Sequence, residues 1–197
     1  MRVISFNCGT GSPMKTKPLL HCAVAVLGLA GTSIVQAAPM TVSSAAFAEN
    51  AVIPAAHGGN TPANCGGQGV SPPVAWTGLP AGTKSVAIFM FDPDGGMGLG
   101  FSHWVAYNIA ADRGHLRQGE GQKDGAGITV GKNGSGEAAY RGPCPPVGDV
   151  PHHYIVTVVA TDLEPGALPA ALTRDELMAA LKGHARGSAT VVGRYGR

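Results

Sequence analysis

The chain has 197 residues, with 14 Lys and Arg against 12 Asp and Glu for a formal charge of +2; 44% of its residues are hydrophobic and 13% charged. The small net charge offers no basic face to displace counterions from nucleic acid. Thirty Gly and 15 Pro, scattered throughout, suit many turns between short strands better than long helices.

Lys15 and Lys17 precede an apolar run from Leu19 to Leu29, too short to span a bilayer, which reads as the core of a signal peptide. Val35 and Ala37 place small residues where a signal peptidase needs them, so residues 1–37 are expected to be a leader cleaved after Ala37. Met14 stands directly before the two lysines, so residues 1–13 can be a start-site artefact upstream of a leader beginning at Met14. Cys22 follows Leu20-His21 and lacks the preceding small residue of a lipid-anchor signal. Arg2, Lys15 and Lys17 belong to the leader and no acid does, so the mature charge becomes −1. Residues 38–197 make one ordinary domain, expected in the periplasm or outside the cell, with no transmembrane segment after cleavage. Cys65 and Cys144 remain; an even pair in an oxidising compartment favours a bridge over two separate thiols, and no CxxC spacing points to a metal.

Lys84–Phe91 is the clearest strand: Val86, Ile88 and Met90 alternate with Ala87, Phe89 and Phe91, so both faces are apolar and both should be covered. Asp92-Pro93-Asp94 ends it. A second strand is expected over His103–Ile109 and a third over His152–Ala160, the three together forming the centre of a sheet. The glycine-rich stretches Gly95–Gly100 and Gly114–Gly136 are expected to be loops. Within the latter, Gly131-Lys132 fails as a phosphate loop, because Ala126 replaces its first glycine and Asn133 its Ser or Thr. Ser135 lacks the leading glycine of a nucleophile elbow, which disfavours a serine hydrolase. Thr173-Arg174-Asp175-Glu176 is a capping box that predicts a helix from Arg174 to Lys182, with Leu177 and Leu181 as its apolar stripe and Gly183 as its stop. Ser188–Tyr195 reads as a final strand.

What remains for chemistry is a concentration of Asp and His at three strand ends: Asp92 and Asp94, then His103, then His152-His153. A strand's period of two puts His152 on the face of Tyr154 and turns His153 away, so His152 is the expected pocket residue. A carboxylate beside an imidazole favours the protonated ring, which then offers two donors to a phosphate or carboxylate. Gly142-Pro143-Cys144-Pro145-Pro146 adds a stiff wall in which the N–H groups of Gly142 and Cys144 can face a ligand. Each residue also has a structural role open to it: Asp92 as a turn cap, the histidines as satisfied strand residues, or two Asp and two His around a metal. Trp76, Trp104 and Met90 are expected in the core and Met97 in a loop. On these residues alone, anion capture and metal binding both stay open.

The same residues resemble the phosphatidylethanolamine-binding protein family, in its bacterial Raf-kinase-inhibitor-like branch. Asp92-Pro93-Asp94 followed by His103-Trp104-Val105-Ala106-Tyr107-Asn108-Ile109 is similar to one family signature, and Gly142-Pro143-Cys144-Pro145-Pro146 running to His152-His153-Tyr154 to the other. Ser71-Pro72-Pro73-Val74-Ala75-Trp76 and the closing Tyr195-Gly196-Arg197 match further stretches, so the resemblance runs from Thr41 to the C-terminus. It implies a mostly β fold, a large antiparallel sheet packed on a smaller one with a short C-terminal helix. It also implies a pocket for phosphate-type anions such as phospholipid head groups, formed by Asp92, Asp94, His103, Pro145, His152 and Tyr154, to which the wall adds Gly142 and Cys144. Cys144 stands where animal members of the family carry glycine, and Cys65 lies in the glycine-rich stretch where exported bacterial relatives can carry cysteine, so the resemblance favours the bridge. Neither catalysis nor a cofactor is implied, and no metal. An inhibitor-like role toward a protease or kinase, with an unidentified protein partner, is the alternative; a metal-assisted hydrolase is a third. The chain departs from the family at Gly95-Gly96, where Ala-Pro is common, and at Phe101, where Trp is usual.

Overall fold

A computed structural model describes residues 38–60 and 65–197. The expected signal peptide and its cleavage site lie outside the described residues. The elements are β1 (Thr41–Ser43), β2 (Val74–Thr77), β3 (Ser85–Asp92), β4 (Phe101–Ala110), β5 (His115–Leu116), β6 (Thr129–Val130), β7 (His152–Thr161), α1 (Arg174–Ala180) and β8 (Ala185–Tyr195). Five strands form a large sheet in the order β6-β4-β3-β7-β8, three a small one in the order β1-β2-β5, and every strand pairing is antiparallel.

The doubly apolar pattern of β3 has its reason in this layering. Val86, Ile88 and Met90, with Trp104, Ala106, Val156 and Val158 of the flanking strands, pack against Val74, Trp76 and Leu116 of the small sheet. On the opposite face Ala87, Phe89, Val105 and Tyr107 are covered by Leu177 and Leu181 of the helical segment. Each such side chain taken from water stabilises the fold by roughly 1.5–3 kcal/mol. Both tryptophans are core residues with a satisfied ring N–H, Trp104 donating to the Gly121 carbonyl at 2.6 Å and Trp76 to that of Ala111 at 3.3 Å. Among the described residues no helix is long and apolar enough to cross a membrane.

Three expectations need correction. The stretch Gly114–Gly136 is not all loop: β5 pairs with β2 and β6 with β4, each through two residues, too few to leave a pattern in sequence. The helix stops at Ala180 instead of Lys182, with Leu181 as its C-cap, and Gly183 takes its left-handed conformation two residues later. Its start is as expected, with the Glu176 N–H donating to Thr173 Oγ1 and the Thr173 N–H to Glu176 Oε2. β8 begins three residues earlier than the sequence indicates, at Ala185.

Asn108 holds a bulge. Val86 pairs with Ile109 and Ile88 with Ala106, so two residues of β4 face one of β3, and Asn108 there has φ 60. Its buried amide donates to the Leu168 carbonyl and to Thr129 Oγ1, both at 2.9 Å, and accepts the Leu168 N–H at 3.2 Å. Asn tolerates the left-handed region better than other branched side chains, and its amide complements both backbone groups of Leu168. Asn108→Leu should therefore lower stability by about 2–4 kcal/mol, from backbone strain and orphaned polar groups together. Asn108→Gly should relieve the strain and retain only the second loss, a split that thermal unfolding of the two variants will show.

Candidate functional site

β3 and β7 run antiparallel, with Phe91 opposite Ile155, so the end of one strand and the start of the other fall at the same edge of the sheet. β4 brings His103 beside them. Asp92, 3% exposed, is the hub. Its Oδ1 accepts the N–H groups of Asp94 and Gly95, each at 2.9 Å, closing the turn that Pro93 begins. Its Oδ2 accepts a hydrogen bond from His152 Nδ1 at 2.8 Å, and His103 Nε2 stands 3.8 Å from the same oxygen, within ion-pair range. His103 Nδ1 donates to the Arg141 carbonyl at 2.7 Å, since a carbonyl can only accept.

These contacts decide the charges. Burial alone would raise Asp92, but the His103 and His152 imidazoles and the Gly95 N–H outweigh it and hold the carboxyl down at about 2. Burial likewise opposes a charge on His152, and the carboxylates of Asp92, Asp94 and Asp149 overcome it, so His152 is raised above its ordinary 6.5. Tyr154 is pushed above the usual phenol range, by burial first and by the Asp92 charge second, and stays a protonated donor. Its buried hydroxyl faces the Asp92 carboxylate without closing a hydrogen bond of ordinary length and angle. A buried donor left short of a full hydrogen bond marks a place where a ligand or water completes the set.

Around this floor lies a cavity of about 550 Å³, and all eight residues expected from the sequence line it: Asp92, Asp94, His103, Gly142, Cys144, Pro145, His152 and Tyr154. Their parts differ. Asp94 is a rim residue, half-exposed, its Oδ2 taken by the N–H and Nδ1 of His153 at 2.8 and 2.9 Å. His153 thus lies off the pocket, as the period of two requires. Gly142 leaves no room for a side chain: a Cβ there would come within 2.6 Å of the backbone at His57 and Gly58. Cys144 bridges to Cys65, across a Cα separation of 5.3 Å, and the Gly59 N–H donates to the Pro143 carbonyl, so the wall is pinned at Cys65 and at Gly59.

Arg141, Asp149 and Arg197 also line the cavity, and sequence reasoning missed them. Charged residues in loops look like ordinary solvated surface, and only their neighbours, Gly142 for Arg141 and Gly196 for Arg197, could have drawn attention to them. Phe101, one of the departures from the family pattern, is a wall residue, edge-on to His103 at 4.8 Å, with the Arg141 guanidinium 6.0 Å above its ring. Among the described residues no three His, Cys, Asp or Glu side chains are grouped to hold a metal ion. What the arrangement offers chemically is an imidazole biased toward its charged form, a phenol and two guanidinium groups around one opening, set against the carboxylates of Asp92, Asp94 and Asp149.

Comparison with known proteins agrees with this architecture. The family model of the phosphatidylethanolamine-binding protein matches residues 43–196. A UPF0098 protein of Methanothermobacter thermautotrophicus is 34% identical over 164 residues, covering 80% of this chain and 99% of that protein. A putative lipoprotein of Mycobacterium tuberculosis, LppC, is 34% identical over 191 residues, covering 95% of this chain and 86% of its own. Among solved structures, Escherichia coli YbcL, described as a new member of the mammalian PEBP family, superposes with a TM-score of 0.74 at 31% identity, covering 81% of this chain and 99% of that one. With the two sheets, the signature residues and the matched span in agreement, the chain belongs to the phosphatidylethanolamine-binding protein family.

Proposed function

We propose that the protein is an exported, non-enzymatic binding protein whose pocket takes a phosphate-type anion, such as the head group of a phospholipid. The observation that carries this reading is the buried pair of Asp92 and His152 in one small cavity with the Tyr154 hydroxyl, which closes no hydrogen bond of ordinary geometry, while His152 Nε2 lies 3.7 Å from the half-exposed Asp149 carboxylate. Arg141 and Arg197 at its mouth add charge of the sign an anion needs. A carboxylate held near 2 is a weak general base at neutral pH, which favours binding over proton-transfer catalysis. Export, to the periplasm or beyond, is supported by the lysines and apolar run of the leader, by the disulfide and by the putative lipoprotein among its relatives.

Calorimetry with phosphoethanolamine and with inorganic phosphate tests the pocket. His152→Ala should weaken binding by roughly tenfold or more and His103→Ala by several-fold, in keeping with loss of a charge-assisted hydrogen bond and of its neighbour. Equal affinity across wild type and both variants would remove these histidines from the site. The pH dependence has a definite sign. His152 is charged below its folded pKa, which lies above 6.5, so affinity should hold at mildly acid pH and fall as pH rises through that value. An affinity that grows with pH across this range would contradict an imidazolium donor.

A further inference from the structure

The two loops that meet at the cavity mouth carry four large apolar side chains that the fold leaves in water. Met97 is 99% exposed and Leu99 87%, both on the turn between β3 and β4; Val147 is 77% exposed and Val150 80%, both on the loop that leads into β7. Met97, Pro146 and Asp149 line the cavity itself, so the four residues stand on its two lips. Among the described residues the other large apolar side chains so exposed are Val52 and Met178, neither of them on these loops. Exposed apolar residues scattered singly are ordinary, but a gathering of them at one polar opening marks a contact surface. The turn also holds Met97 at φ 60, a left-handed backbone rare for a residue with a side chain.

The arrangement favours one kind of partner. Four side chains of this size expose on the order of 400 Å² of apolar surface, about half of the roughly 800 Å² that each side of a stable protein–protein interface buries. They stand on two separate loops on either side of the cavity. The charged groups beside them are of both signs, Asp94 and Asp149 against Arg141 and Arg197, which matches a zwitterionic layer better than a uniformly anionic one.

We propose that Met97, Leu99, Val147 and Val150 seat the pocket mouth on a zwitterionic phospholipid surface, their side chains entering the interfacial layer so that a head group reaches Asp92, His103 and His152. The proposal rests on the head-group reading above and adds the surface from which the head group is presented. Apolar side chains dipped into the headgroup and acyl boundary are a general means of peripheral attachment, and the near-neutral domain has little long-range attraction to substitute for them.

Sedimentation with vesicles of phosphatidylethanolamine and phosphatidylcholine tests it, using wild type, Met97→Ser/Leu99→Ser and Val147→Ser/Val150→Ser, beside calorimetry of the same proteins with soluble phosphoethanolamine. Wild type should sediment with the vesicles, and each serine pair should weaken vesicle binding by roughly tenfold or more, since two buried apolar side chains are lost each time. Affinity for soluble phosphoethanolamine should stay within about threefold in Val147→Ser/Val150→Ser, whose two residues lie outside the cavity lining. All four sites are exposed, so melting temperatures should not move, and that measurement separates a rim effect from misfolding. Serine pairs that sediment like wild type, or a wild type that stays in the supernatant, overturn the rim. A wild type that ignores soluble phosphoethanolamine yet sediments in a serine-sensitive way overturns the head-group reading and supports the rim as a surface anchor. A wild type that dimerises in solution, and returns to monomer in the serine pairs, assigns the rim to a second copy and overturns the lipid surface.

Discussion

Asp92→Asn is expected to lower affinity for phosphate by roughly ten- to a hundredfold while leaving the fold in place. The amide oxygen can still accept the N–H groups of Asp94 and Gly95, so the turn survives. What the substitution removes is the negative charge that faces His152 Nδ1 at 2.8 Å. Without it, burial is opposed only by the more distant carboxylates of Asp94 and Asp149 and the pKa of His152 falls, so less of the ring carries its second donor at neutral pH. A titration of the His152 ring by NMR reads this directly, and unchanged titration with unchanged phosphate affinity would discard Asp92 as the group that charges the site.

Asp92→Ala goes further, because it also orphans two backbone donors and leaves an imidazolium in a buried place. Breaking a buried pair from one side costs about 3–5 kcal/mol. The sign with pH follows from the two shifts. Asp92 is held below its ordinary 3.8, so its contribution is present above that value and is lost as pH falls towards 2. His152 is raised above 6.5, so its contribution is complete below 6.5 and is lost as pH rises through the folded value. Wild type and Asp92→Ala should therefore differ most between about pH 4 and 6.5 and less in alkali, where the loss of the two backbone hydrogen bonds remains, as denaturant unfolding across that range will measure.

The second large effect belongs to the bridge between Cys65 and Cys144, 79 residues apart in sequence. Closing so long a loop in the unfolded chain restricts it strongly, and removal of such a bridge lowers stability by about 2–4 kcal/mol. For a chain of this size that is a fall in melting temperature of roughly 4–16 °C. Cys65→Ala/Cys144→Ala should show it, and wild type under reductant should show the same fall. The effect should extend to the pocket, because Cys144 lines it and the bridge pins the wall Gly142–Pro146. Phosphate affinity should drop by a few fold only, since Asp92, His103 and His152 hang on strands and not on that wall. A melting temperature indifferent to both treatments would show that the bridge does not constrain the folded domain.

The buried strands were legible because a short run that is apolar on both faces has to be covered on both, and the helix start because a capping box is a local device. Phase alone separated His152 from His153. Other features were written in no local pattern. β5 and β6 exist only through what they pair with, and Asn108 looks like any polar strand residue until the bulge and the Leu168 backbone are in place beside it. Arg141 and Arg197 reach the cavity from segments distant in sequence, so no spacing could announce them. The concentration of Asp and His was visible, but which oxygen served which ring depended on the antiparallel pairing of β3 with β7.

That pairing gives the two adjacent histidines unequal work. In a sheet with a period of two, a slip of one residue between β3 and β7 would exchange His152 for His153 and carry Tyr154, Val156 and Val158 out of the core. The Asp94 carboxylate, gripping both the N–H and the ring of His153, acts as an alignment pin at the end of the strands. The dipeptide thereby divides its two rings between the faces of the sheet: one faces the cavity, and its neighbour keeps the strand from delivering the wrong one.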